Sequence, residues 1–169
     1  MLRRFGMTVW LTLSAGLAPP LSSQVPLQLG AVAPDFTLKQ LAGGEASLSE
    51  FRGRPVLVNF WATWCKPCRA EMPEIISAYQ AHRDAGLEVL AVNLTDQESM
   101  KDVRRFAAEL GLPFVVLLDR KGAVRERYGL IAIPTSVFID SSGVIRMVNS
   151  GPIDGKALER GLREILPTP

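Results

Sequence analysis

The sequence predicts an α/β domain in which helices flank a central mixed sheet, and three observations predict it. Apolar runs at 56–61, 87–93 and 114–118 are separated by two helix-length segments, a βαβαβ series whose long connections imply parallel strands and right-handed crossovers. Further on, runs at 136–139 and 144–148 are joined by Asp140-Ser141-Ser142-Gly143, a link short enough for an antiparallel hairpin. The 169 residues, 47% hydrophobic and 21% charged, supply one proper core, with no repeat, low-complexity tract or linker to divide them.

Residues 1–23 stand apart from that domain. Arg3 and Arg4 make a basic start, 5–17 is uncharged and mostly apolar, and Ala18, Pro19, Pro20, Ser22 and Ser23 follow. This reads as an export signal, with a run shorter than the ~20 residues of a membrane-spanning helix. It is either cleaved as a signal peptide or retained as an N-terminal anchor, and only a retained segment ties the protein to a membrane. No Cys lies near it for lipid attachment. The domain proper is residues 24–169.

Within the domain, Pro34-Asp35-Phe36-Thr37-Leu38 alternates apolar and polar residues, and Gly43-Gly44 turns the chain before 46–48, which predicts a small N-terminal β-hairpin. A brief helical turn over 49–52 and the breaker Gly53-Arg54-Pro55 precede Val56-Leu57-Val58-Asn59-Phe60-Trp61, whose continuous apolar character predicts a central strand covered on both faces. A helix then runs to about residue 82 or 84 with Pro73 inside it, a residue that removes one backbone hydrogen bond and kinks a helix. After the strand at 87–93, residues 97–110 form an amphipathic helix ended by Gly111. A short helix over 123–128 and a final helix over 154–166, with Asp154 as N-cap, complete the chain.

Both cysteines stand in Trp64-Cys65-Lys66-Pro67-Cys68, directly after the central strand. Two thiols at this spacing can close into a small disulfide and reopen. At the mouth of a helix beginning near Lys66, free backbone N–H groups and the positive helix end stabilise a Cys65 thiolate. Pro67 suits the first turn because its missing N–H has no partner to lose. Cys68, one turn on, can then attack a mixed disulfide formed at Cys65. A structural zinc site needs about four ligands, and the chain adds only His82 to the two Cys. Haem attachment requires a His where Arg69 stands. An inert structural disulfide gains its stability by closing a long loop, and this one closes almost none. The net charge of +2, with no basic run interleaved with aromatics, gives no footprint for nucleic acid.

Ala33-Pro34-Asp35-Phe36, the segment from Asn59 to Cys68, Glu71-Met72-Pro73 and Ile133-Pro134-Thr135 together resemble the TlpA/ResA/DsbE family of exported thioredoxin-like oxidoreductases, over about residues 30–166. The resemblance implies a thioredoxin-like fold with a central βα insertion. It implies thiol–disulfide exchange without any cofactor beyond the Cys65–Cys68 disulfide itself. Pro134 would be the cis-proline facing the disulfide, and Ile133 would offer backbone hydrogen bonds to an extended substrate. Trp64, Lys66 and Pro67 would border that substrate, with Lys66 modestly favouring the thiolate, whereas Trp61 and Met72 read as core packing. Arg69 and Arg83 read as solvated faces.

Glu71 lies three residues after Cys68 on the same helical side, where the family places a carboxylate near the thiols. It would take or return the Cys68 proton, since Asn59 stands where ordinary thioredoxin carries a titratable Asp. As a helix residue near the surface, its replacement by Gln is expected to change stability within about ±0.5 kcal/mol. The implied partners are protein thiols and disulfides such as apocytochrome c, with electrons from a membrane dithiol donor. The implied place is the periplasm or another extracytoplasmic space. Other readings are a disulfide oxidase or isomerase, a Cu(I) carrier using both thiolates, and a peroxiredoxin-like peroxidase. The last is expected to carry Pro and Thr where this chain has Val58 and Ala62.

Overall fold

The computed structural model describes residues 27–167, so the signal or anchor expected over 1–23 lies outside the described residues. Among them, no helix is long and apolar enough to cross a membrane. One seven-stranded sheet runs through the domain. Its strands are β1 (Thr37–Gln40), β2 (Glu45–Ser47), β3 (Val56–Trp61), β4 (Glu88–Asn93), β5 (Val115–Leu118), β6 (Thr135–Ile139) and β7 (Ile145–Ser150), in the spatial order β2-β1-β5-β4-β3-β6-β7. β3, β4 and β5 are parallel, while β6 joins β3 and β7 joins β6 antiparallel, so the sheet is mixed as expected. The hairpin β1–β2 closes the other edge, antiparallel to β5. Helices α1 (Lys66–His82), α2 (Met100–Leu110), α3 (Ala123–Arg127) and α4 (Gly155–Ile165) complete the fold, with α4 packed on β6 and β7 and against α1. The elements α2, β5 and α3 lie between the βαβ unit and the terminal hairpin, where the central βα insertion was expected.

Side chains alternate across a strand, and β3 uses the alternation to build two cores. Val56, Val58 and Phe60 enter a cluster with Phe36, Leu90 and Tyr128, whose hydroxyl donates to the Pro34 carbonyl at 2.8 Å. Leu57 and Trp61 enter the opposite cluster with Met72, Ile75, Phe106 and both cysteines. Asn59 shares that second face and is fully buried, which aims its amide at α1.

Most boundaries shift by a residue or two from expectation, and two of the shifts have a clear local reason. The first strand begins at Thr37 because Asp35 acts as a turn residue, its Oδ1 accepting from the N–H groups of Phe36 and Ser49 at 2.9 Å each. α2 begins at Met100, not at residue 97, because Ser99 is its N-cap and accepts from the Asp102 N–H, while Thr95–Gln97 form a separate 3-10 turn. Pro73 sits inside α1 without ending it.

α4 approaches the sheet closely at Gly161. A Cβ there would lie 2.4 Å from the buried Phe138 ring, too close for the ring to remain in place. Overpacking of this kind costs about 1–3 kcal/mol, against about 1 kcal/mol gained in helix propensity. Gly161→Ala is therefore expected to destabilise the protein by up to about 2 kcal/mol in urea unfolding.

Candidate active site

β3 delivers the chain to a tight turn in which the Cys65 N–H donates to the Ala62 carbonyl at 3.2 Å. Cys65 is the N-cap of α1, with extended backbone, and Pro67 occupies the helix's first turn. The two cysteines form a disulfide, with Cα atoms 5.3 Å apart, and the Cys68 N–H points at Cys65 Sγ at 3.2 Å. That amide is placed to donate to a Cys65 thiolate once the bond is reduced. Cys65 keeps 4% of its surface exposed and Cys68 none.

Glu71 is not near the surface. It is 3% exposed, with Oε1 accepting from Asn59 Nδ2 at 2.8 Å and Oε2 from the Ile153 N–H at 2.9 Å. Burial pushes its carboxyl up from the ordinary value, only partly offset by the hydrogen bonds from Ile153 and Asn59. The expectation that Gln would leave stability nearly unchanged is therefore corrected. A buried carboxylate joins three parts of the chain here, and its ionisation is coupled to folding. Asn59 Nδ2 also donates to Ser136 Oγ at 3.1 Å, while its Oδ1 has no partner. If the Asn59 amide turns over, that oxygen can meet a protonated Glu71 or a Gln in its place.

The Ile133–Pro134 peptide is cis. Because Thr135 pairs with Phe60, Pro134 stands at the end of the sheet from which β3 runs into the cysteines. Ile133 packs against the core cluster that contains Cys65 and Cys68. Trp64, 55% exposed, lines a groove of about 470 Å³ with Leu130, Ile131, Ile133 and Arg125. Ile131 is 92% exposed beside it, so the rim is apolar. Lys66 is exposed and makes no ion pair among the described residues. Trp61 and Met72 are fully buried, as expected of packing residues. Arg83 is exposed, and Arg69, although exposed, places its guanidinium 4.7 Å from the Phe106 ring centre.

A second carboxylate at the site was not legible in the sequence. Glu98, between β4 and α2, accepts on Oε1 from the Thr63 N–H at 3.0 Å and from Asn93 Nδ2 at 2.7 Å, and on Oε2 from the Thr63 hydroxyl. Asn93 is completed by the Thr95 hydroxyl, which donates to its Oδ1 at 2.8 Å. Thr63 lies two residues before Cys65, but Glu98 lies thirty-five residues after Thr63, and no local spacing announces the contact. Ser136 and Ile153, the further partners of the Asn59–Glu71 pair, escape the sequence for the same reason.

The sequence pattern of the AhpC/TSA family matches residues 29–148. The chain belongs to that family. It is similar to the thiol-disulfide oxidoreductase ResA of Geobacillus kaustophilus, 38% identical over 146 residues that cover 86% of this chain and 83% of ResA. It is 44% identical over 140 residues to the thioredoxin-like protein YneN of Bacillus subtilis, covering 82% of this chain and 81% of YneN. A Chlorobium tepidum crystal structure, provisionally assigned as a thiol:disulfide interchange protein DsbE, superposes with a TM-score of 0.75 at 34% identity, covering 81% of this chain and 96% of that one. The chain is a thioredoxin-fold thiol–disulfide oxidoreductase, and its Cys65 and Cys68 stand together as a Cys-x-x-Cys disulfide.

Proposed function

We propose that this oxidoreductase reduces protein disulfides outside the cytoplasm, with Cys65 as the attacking thiolate and Cys68 as the resolving thiol. The observation that carries the reading is the pair's asymmetry: Cys65 caps α1 and is the only one of the two cysteines with exposed surface. The Cys65 thiolate attacks a substrate disulfide, and one substrate sulfur leaves and takes up a proton. Cys68 gives its proton to Glu71, attacks Cys65 Sγ and releases the second substrate sulfur. Two electrons pass to the substrate, and the Cys65–Cys68 disulfide that remains is reduced again by a dithiol donor at the membrane. No further cofactor is needed.

The substrate lies extended along Ile133, whose backbone offers strand-like hydrogen bonds, beside the cis-proline Pro134, with Trp64, Lys66 and Pro67 on its other side. Apocytochrome c thiols awaiting haem are the substrate class that the family likeness favours, and residues 1–23 supply export, with or without retention as an anchor. A peroxidase is disfavoured because Val58 and Ala62 are both fully buried, and Val58 packs in the core cluster across the sheet from the cysteines.

Electron direction is tested by the reduction potential in glutathione and dithiothreitol buffers. A reductase is expected at or below the glutaredoxin range of about −200 to −230 mV. A potential near the DsbA value of about −120 mV would make the protein an oxidase.

A further inference from the structure

The Cys65 turn is held by a charge that lies on neither β3 nor α1. Glu98 straps Thr63 by both its N–H and its hydroxyl, and through Asn93 it ties the turn to the end of β4. The carboxylate is thus bound to Thr63, two residues before Cys65, at the same end of the sheet as the mouth of α1. Among the described residues, other charges at this end of the domain include Lys66 and Arg69 on α1, the Asp96–Arg125 ion pair at 3.1 Å whose arginine lines the groove, and the buried Glu71. Lys66 is exposed and screened by water, and Arg69 is held over Phe106, so neither cation neutralises Glu98 through direct contact.

We infer that Glu98 is a positioning residue for the redox pair: it fixes the turn that presents Cys65, and its negative charge opposes thiolate formation there, holding the couple toward the reducing end. A thiolate is the form that a helix mouth favours, and stabilising the reduced form makes a couple more oxidising. An anion fixed beside the helix mouth works against both. Glu98 thereby favours the reducing direction assigned above, and the inference rests on the reading of Cys65 as the attacking thiol.

Gln separates the charge from the strap. In E98Q the amide oxygen can accept from both Thr63 N–H and Asn93 Nδ2, which already share Oε1, while its NH₂ donates to the Thr63 hydroxyl. The strap is kept and the charge is removed. Alkylation of the reduced protein by iodoacetamide across pH should then show the Cys65 midpoint lowered by about half a unit or more. The equilibrium with dithiothreitol, measured above the Cys65 midpoint where the thiolate is the populated form, should shift about threefold toward reduced protein, with the thermal midpoint close to that of the parent. E98A should show the same shifts together with slower disulfide exchange, and if E98A fails to fold, E98Q still decides. An E98Q protein with the parent's alkylation midpoint and dithiothreitol equilibrium would overturn the inference. Alkylation of Cys68 before Cys65 in the parent protein would instead overturn the order of attack on which it rests.

Discussion

Cys65→Ser is expected to reduce disulfide exchange to the uncatalysed rate, whereas Cys68→Ser stalls the reaction halfway. The two substitutions remove the same chemical group three residues apart, yet their consequences differ in kind because the sulfurs differ in place. Without Cys65, the only remaining thiol has no exposed surface and no substrate disulfide can reach it. Without Cys68, Cys65 still attacks, but the mixed disulfide has no neighbouring thiol to resolve it. Non-reducing electrophoresis of Cys68→Ser with a peptide disulfide should therefore show a covalent adduct that dithiothreitol releases. Cys65→Ser should show none, and comparable adducts from both variants would contradict the assignment.

Glu71→Gln is expected to slow disulfide exchange by ~10-fold or more, at the modest end of general acid–base effects. Burial holds the Glu71 carboxyl above its ordinary value, closer to a thiol's, which suits it to exchange a proton with Cys68. Its two oxygens already accept from Asn59 and Ile153, but an ionised carboxylate offers about four acceptor sites, so capacity for the Cys68 proton remains. The same raised value has a sign in stability. A group that holds its proton more tightly when folded contributes stability below the unfolded value and loses it as pH rises through the folded one. The parent should thus lose stability relative to Glu71→Gln as pH climbs from the ordinary carboxylate range through the raised value. Urea unfolding at several pH values measures this directly, and parallel curves for parent and variant would remove the coupling. An unchanged exchange rate would leave Glu71 as a structural tie alone.

Sequence carried the succession of elements along the chain and the paired cysteines because both are written locally. A continuous apolar run at β3, a Cys-x-x-Cys placed straight after it and crossover-length connections each need only a short window to be read. Glu71 was singled out by the family resemblance together with its helical spacing from Cys68, yet its depth was misjudged. Burial at that position comes from α4 and its preceding loop, which supply the Ile153 N–H from eighty-two residues away. Glu98 shows the limit more sharply. Its backbone is extended just before a helix cap, a place where a Glu normally meets solvent, and only the parallel pairing of β3 with β4 brings it to Thr63. The start of α2 was misplaced for a related reason, because the amphipathic pattern continues upstream while Ser99 competes successfully for the cap.

The central claim is that the two thiols are unequal, and the rate at which each is alkylated in the reduced parent protein tests it most directly. With iodoacetamide at neutral pH and peptide mass spectrometry as the readout, Cys65 should be labelled well before Cys68, because it alone combines the helix-mouth position, the Cys68 N–H and exposed surface. Equal rates, or Cys68 labelled first, would contradict the account.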